Sequence, residues 1–110
     1  TNPAHPIAKD LPAYIDLPLE EMYGEPFGIP EPDNTVFTCW YQGGRVFRGG
    51  ITYNRGAGKV FYFQPGHETF PTYKNPLIQK TLVNAVRWAY SNGATQKIDC
   101  ECVKPLEKLN

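Results

Sequence analysis

The sequence lacks an excess of charge of either sign, because 11 Lys and Arg balance 11 Asp and Glu. Such a balance removes the electrostatic argument for a nucleic-acid or anionic-membrane partner. Cysteine is scarce, and the odd set Cys39, Cys100 and Cys102 is a poor disulfide framework. There is no apolar run of membrane-spanning length, and the first residues lack the apolar core of a secretion signal. These absences favour a cytoplasmic protein.

Proline and glycine are plentiful, with 11 and 10 of the 110 residues, so turns and loops should be common. Residues 1–34 are especially rich in proline, which excludes a long helix there. We expect this segment to cover or line a structure formed by the rest of the chain. Residues 1–110 are interpreted as a single or partial domain, with a polar tail over 94–110. The sequence begins with Thr instead of Met, which indicates a trimmed, processed or partial chain.

The middle of the chain predicts an antiparallel meander of three strands. The strands are VFTCWYQ (36–42), RVFRGGITY (45–53) and KVFYFQ (59–64). Gly43-Gly44 and the glycine-rich residues 54–58 are the predicted turns, since glycine adopts the positive φ of a tight hairpin. Because VFTCWYQ is apolar on both faces, we expect its strand to be buried on both sides.

A helix is predicted over PLIQKTLVNAVRWAYS, after an eleven-residue loop at 65–75. Asn75 is a good N-cap and Pro76 suits the first helical position, while Gly93 is a plausible stop. The predicted apolar stripe comprises Ile78, Leu82, Ala85, Val86 and Ala89, and the residues predicted to face away are Lys80, Asn84 and Arg87.

The loop after the third strand carries the sequence Gly66-His67-Glu68-Thr69. Ligands in α/β folds bind where strands lead into helices, and His and Glu supply titratable groups at that position. His67 is a candidate metal ligand or general base. Glu68 is a candidate to orient His67, to bind a metal, or to accept a hydrogen bond from a substrate hydroxyl. The alternative is a structural loop in which His67 satisfies a backbone carbonyl.

A second candidate site combines His5 with the acidic cluster Glu20, Glu21 and Glu25. Zinc sites use three or four N, O or S ligands, so His5, Glu21 and His67 are a possible ligand set. No spacing rule requires these distant residues to converge. The alternative is a solvated acidic face beside a loop histidine.

Arg48 and Arg55 lie in or beside the meander, near tyrosines, as is typical of sugar or carboxylate recognition. The alternative for each is a surface salt bridge. The pair Cys100 and Cys102 resembles half of a metal knuckle, but without a second pair a structural role is favoured. Cys39 is interpreted as a buried small hydrophobe.

Four stretches closely resemble the trehalose-utilisation (ThuA-like) family. They are HPIAKDLPAYIDLP, EEMYGEPFGIPEPD, FRGGITYNRGAGKVFYFQPGHETFPTYKNP and NAVRWA, within residues 3–90. The chain departs from the family at Asp10, where members often have Gly, and in the tail beyond residue 92.

The resemblance implies an α/β fold of the flavodoxin-like, class I glutamine-amidotransferase-like kind. This chain matches only the C-terminal part of that fold, a β-meander followed by a strand-loop-helix unit. The implied role is bacterial metabolism of trehalose or a related disaccharide.

The resemblance also implies which positions form the site. We expect His67 and Glu68 to be catalytic, and His5, Glu21 and His67 to bind zinc or another divalent metal. The expected sugar contacts are Arg48, Arg55, Tyr23 and Glu25.

Two functions remain open from the sequence. The first is an enzyme, or part of one, that acts on a small-molecule sugar. The second is a non-catalytic carbohydrate-binding or subunit-interaction module. Because one helix on three strands makes a thin core, we expect a homo-oligomer or an N-terminal half of the same fold to cover it. No nucleic acid and no membrane is expected as a partner.

Overall fold

A three-stranded antiparallel sheet forms the middle of the protein in a computed structural model, which describes residues 1–90. The strands are β1 (Asn34–Trp40), β2 (Val46–Arg55) and β3 (Gly58–Phe63), in the order β1-β2-β3. The predicted meander is confirmed. Gly43 and Gly44 turn the first hairpin with φ of +92° and +87°, a region that favours glycine.

The interpretation of the first strand as buried on both faces is wrong. Burial varies along β1, where Thr38 and Trp40 are exposed, and the strand also forms an edge of the sheet because it pairs only with β2. Val36 is fully buried, but Trp40 at the strand end is 80% exposed. The pairing register shifts on both sides of Phe37, as is common in edge strands. The apolar residues of β1 therefore contact both the core and a groove on the surface.

The predicted helix is confirmed as α1 (Pro76–Ala89). Asn75 is its N-cap, because the Oδ1 atom accepts a hydrogen bond from the Leu77 N–H at 2.9 Å. The helix ends at Ala89, two residues before the predicted end. The predicted stop at Gly93, the polar tail over 94–110 and the pair Cys100 and Cys102 lie outside the described residues.

The predicted faces of α1 are only partly right. Ile78 and Ala85 are buried as expected, whereas Val86 is 70% exposed. Asn84, expected to face away, is buried and donates from Nδ2 to the carbonyl oxygen of Ile7 at 3.1 Å. The same Nδ2 donates to the carbonyl oxygen of Lys9 at 2.9 Å. The buried face of α1 includes Asn84, because the helix packs on the N-terminal segment as well as on β3.

The proline-rich N-terminal segment contains only a short 3-10 turn, Pro6–Ala8, before β1. Ile7 of this turn is fully buried and packs with Val36 and Ala85 in the core. The prediction that residues 1–34 hold no long helix and cover the rest of the chain is therefore confirmed. Within the described part of the chain, every helical segment is too short or too polar to cross a lipid bilayer.

Candidate functional site

The carboxylate of Glu20 holds the His67 loop (residues 65–71), which follows β3. Its Oε2 atom accepts hydrogen bonds from the Gly66 N–H at 3.1 Å and the Thr72 hydroxyl at 2.7 Å. Its Oε1 atom accepts from the His67 N–H at 3.2 Å. Three donors from the segment that follows β3 thus bind one half-buried carboxylate. The arrangement fixes the loop backbone through charge-assisted hydrogen bonds.

Gly66 allows this loop to fold tightly. Its φ is +131°, and a Cβ atom there would overlap the hydroxyl and ring of Tyr73. A side chain at residue 66 would therefore be excluded by both the backbone conformation and the space. The absence of a side chain at residue 66 therefore allows the Tyr73 ring to lie against the loop backbone.

The ring of His67 has one nitrogen bonded within the loop and the other directed to Glu68. Nδ1 accepts from the Thr69 N–H at 3.2 Å, while Nε2 lies 3.5 Å from the Glu68 Oε2 atom. An accepting Nδ1 assigns the proton of the neutral ring to Nε2. His67 therefore presents an N–H donor next to a carboxylate that is almost fully exposed. The predicted His-Glu pair is assembled.

Gln64, at the end of β3, connects the loop to β1. Its Oε1 atom accepts from the Tyr41 hydroxyl at 2.5 Å and lies 3.6 Å from the Cys39 sulfur. Its Nε2 atom donates to the carbonyl oxygen of Glu21 at 3.1 Å. Burial raises the pKa of the Cys39 thiol, which is half-buried and hydrogen-bonded instead of the buried hydrophobe expected. Burial also raises the pKa of Tyr41.

Two predicted sugar contacts, Glu25 and Arg48, bind each other. The Arg48 guanidinium donates from Nε to Glu25 Oε1 at 2.7 Å and from its NH2 group to Oε2 at 3.1 Å. The Phe27 N–H also donates to this carboxylate at 2.7 Å. Hydrogen bonding by Arg48 lowers the pKa of Glu25 to about 2. A salt bridge was the alternative to sugar recognition for Arg48, and this ion pair attaches residues 25–27 to β2.

The remaining sugar-contact candidates lie apart from the His67 loop contacts. Arg55 donates to the Asn54 carbonyl oxygen at 2.8 Å, and its guanidinium lies 4.6 Å from the centre of the Tyr53 ring. Tyr23 is partly exposed, and the negative charge of Glu21 raises its pKa. Within residues 1–90, neither Arg55 nor Tyr23 forms a side-chain hydrogen bond or an ion pair with Glu20 or His67.

His5 has a structural environment. Its side chain is buried, its Nδ1 accepts from the Ile7 N–H at 3.2 Å, and its ring centre lies 5.5 Å from that of Trp88. Burial is the main cause that lowers the pKa of His5, with a smaller effect of the Lys59 charge. These contacts place His5 against α1, where it caps the N-terminal turn.

The proposed metal ligands His5, Glu21 and His67 are not assembled. Among residues 1–90, no group of three or more His, Cys, Asp or Glu side chains is placed to hold a metal ion. His5 packs against Trp88, whereas His67 contacts Phe70 and Glu68. The described residues therefore do not fit the expected zinc site, and metal binding by the chain stays a prediction.

A groove of about 760 Å³ adjoins the Glu20 carboxylate. We call it the β1 groove, because it lies between the N-terminal residues and β1, with Gln64 and Pro65 at the end next to the His67 loop. Its size falls within the range of small-molecule sites. Glu20 thus contributes both to the support of the loop and to the wall of a cavity.

Gln64 is the functional candidate that sequence reasoning missed, because the sequence predicts it only as the last residue of a strand. Glu20 belongs to the predicted acidic site with His5, but its contacts in the structure are with the His67 loop instead. The one available signal was the position of Gln64 directly before Pro65-Gly66. Nothing in the local sequence links Glu20 to a loop 46 residues away.

The described residues define a small α/β protein whose polar loop leads from the last strand of the sheet towards its helix. A protein-family model for trehalose utilisation, ThuA, matches residues 1–89, so the chain belongs to this family. The resemblance noted in the sequence is confirmed. A comparison with curated proteins gave no match.

Proposed function

We propose that this protein acts in the bacterial utilisation of trehalose or a related disaccharide, and that the sugar is bound at the His67 loop. The family match supports the class of substrate. The observation that carries the location is the set of hydrogen bonds from Gly66, His67 and Thr72 to Glu20. These bonds fix the backbone that carries the half-buried His67 side chain and the exposed Glu68 side chain before any ligand arrives.

The chemistry available at the loop is hydrogen bonding and proton transfer to sugar hydroxyls. In the neutral ring, His67 Nε2–H donates to a sugar oxygen, and the Glu68 carboxylate accepts from a hydroxyl. General-acid action by His67 requires a proton on Nδ1 as well, so the ring must first give up the hydrogen bond from the Thr69 N–H, and Glu68 then lies close enough to stabilise the imidazolium. This division of roles supports the interpretation of His67 and Glu68 as the reacting pair.

A non-catalytic sugar-binding module is the second candidate. The hydrogen bond from the Thr69 N–H to His67 Nδ1 favours this candidate, because the ring then has no free acceptor nitrogen. A histidine in that state donates a hydrogen bond but does not remove a proton. The finer fold interpretation, a C-terminal part of a flavodoxin-like fold, is likewise our proposal, supported by the family match.

The test combines binding and turnover with the 110-residue chain. We expect calorimetry to detect trehalose binding, and His67→Ala and Glu68→Ala each to weaken it about tenfold, as expected for lost polar contacts. Arg87→Ala is the control, since Arg87 is exposed on α1 and no candidate site includes it. Conversion of trehalose followed by NMR separates the two candidates. The absence of any disaccharide binding by the wild-type chain would refute the proposal.

A further inference from the structure

The β1 groove carries two exposed aromatic side chains that the fold does not use. Tyr14 and Trp40 both line the cavity and are each 80% exposed. Exposed aromatic rings are costly to leave in water, and tyrosine and tryptophan are enriched where a ligand has apolar and polar surfaces. Tyr14 belongs to the N-terminal segment and Trp40 to the end of β1, so the two rings come from separate elements.

We propose that the β1 groove is the sugar subsite, in which Tyr14 and Trp40 stack on the pyranose rings of a neutral disaccharide. The inference rests on the proposed function for the class of ligand, and it adds the position, the contact residues and the charge of that ligand. Pyranose rings have apolar C–H faces and polar edges, so they need both aromatic and hydrogen-bonding walls.

The polar wall of the groove is provided at the end nearest the His67 loop. Glu20 and Gln64 line the cavity there, and the Tyr41 hydroxyl lies in the same wall. Because Glu20 also accepts the Gly66 and His67 N–H groups, a sugar seated in the groove lies next to the loop. The groove and the loop that carries the proposed reacting pair are thereby linked through the Glu20 side chain.

The charges that line the groove favour a neutral ligand. Asp10, Asp16 and Glu20 contribute carboxylates, and within residues 1–90 the lining includes no Lys or Arg side chain. The Thr1 ammonium also lies there, but it donates to the Val36 carbonyl oxygen at 3.1 Å. A phosphorylated or carboxylated sugar would approach these carboxylates with like charge, which lowers its affinity.

The experiment compares trehalose with trehalose 6-phosphate by calorimetry on the 110-residue chain. We expect Tyr14→Ala and Trp40→Ala each to weaken trehalose binding at least fivefold. Tyr90→Ala is the matched control, because Tyr90 is 71% exposed at the end of α1 and outside the groove. All three side chains are exposed, so the substitutions leave the core intact. We also expect the phosphate to bind at least tenfold more weakly than trehalose, and Asp16→Asn to narrow that difference.

The outcomes separate this inference from the proposed function. If trehalose binding depends on His67 but not on Tyr14 or Trp40, the function stands and the groove is not the subsite. If trehalose 6-phosphate binds more tightly than trehalose, the assignment of a neutral ligand is overturned. If the wild-type chain binds neither sugar, both proposals fail together.

Discussion

Removal of the Glu20 carboxylate should loosen the His67 loop specifically. In Glu20→Ala, three long-range hydrogen bonds are lost, those from Gly66, His67 and Thr72. At a net value of about 1 kcal/mol for each bond, the free energy of unfolding should fall by about 3 kcal/mol. In Glu20→Gln one oxygen remains, so the loss should be about 1 kcal/mol.

Two measurements test this expectation. Urea unfolding gives the global change, and amide hydrogen exchange of Gly66 and His67 gives the local one, because both N–H groups bond to Glu20. Glu68→Ala is the charge-matched control, since the Glu68 side chain is 87% exposed and 3.5 Å from its nearest partner. Unchanged stability and unchanged exchange of both amides in Glu20→Ala would refute the role given to Glu20.

Three further predictions concern the scaffold. Gly49→Ala should lower the free energy of unfolding by about 1–3 kcal/mol, because the added Cβ would overlap the Cys39 sulfur. The double variant Gly49→Ala/Cys39→Ala should recover much of this loss, as measured by urea unfolding. The folded-state pKa of His5 lies below the unfolded value of 6.5, so stability should be complete above about pH 6.5 and fall as the pH drops through that value towards the folded pKa. Urea midpoints at about pH 7.5 and pH 5.5 should show this fall in the wild type and a smaller one in His5→Gln. Asp10 has a φ of +55°, which glycine adopts without strain and alanine does not. In thermal unfolding, the stability of Asp10→Gly should therefore equal or exceed that of the wild type, and Asp10→Ala should be less stable than both by about 1 kcal/mol.

Local signals explain which parts of the fold could be predicted. Asn75-Pro76 marks the start of α1, and Gly43-Gly44 marks the first hairpin, because capping and positive φ depend on residues close in sequence. Asp10 has a left-handed backbone that glycine adopts more easily, which is consistent with the glycine that the resemblance implies at this position.

Long-range packing explains what could not be predicted. Asn84 is buried because its amide meets two carbonyl oxygens of the N-terminal segment, at Ile7 and Lys9. The apolar face of α1 gave no indication of that partner. Likewise, the exposure of Trp40 depends on which elements cover each face of the sheet, which the apolar sequence of β1 does not reveal.

In the candidate site, too, a grouping of adjacent residues could be predicted, whereas a grouping of residues distant in sequence could not. The sequence predicts a polar loop at the adjacent residues His67 and Glu68, and His67 Nε2 lies 3.5 Å from the Glu68 Oε2 atom, while the role of the pair stays a prediction. The proposed grouping with His5 depended on a fold-level convergence that the described residues do not show. His5 instead caps a turn and packs on Trp88, as a histidine on an apolar surface commonly does.

The most direct test of the account is a trehalose titration of the isotope-labelled 110-residue chain, followed by amide and side-chain NMR shifts. The account predicts saturable shifts at the Gly66 and His67 amides, the Gln64 side chain and the Trp40 ring N–H. Shifts confined to the outer face of α1, around Val83 and Val86, would contradict it. So would an unchanged spectrum at a trehalose concentration far above the millimolar range.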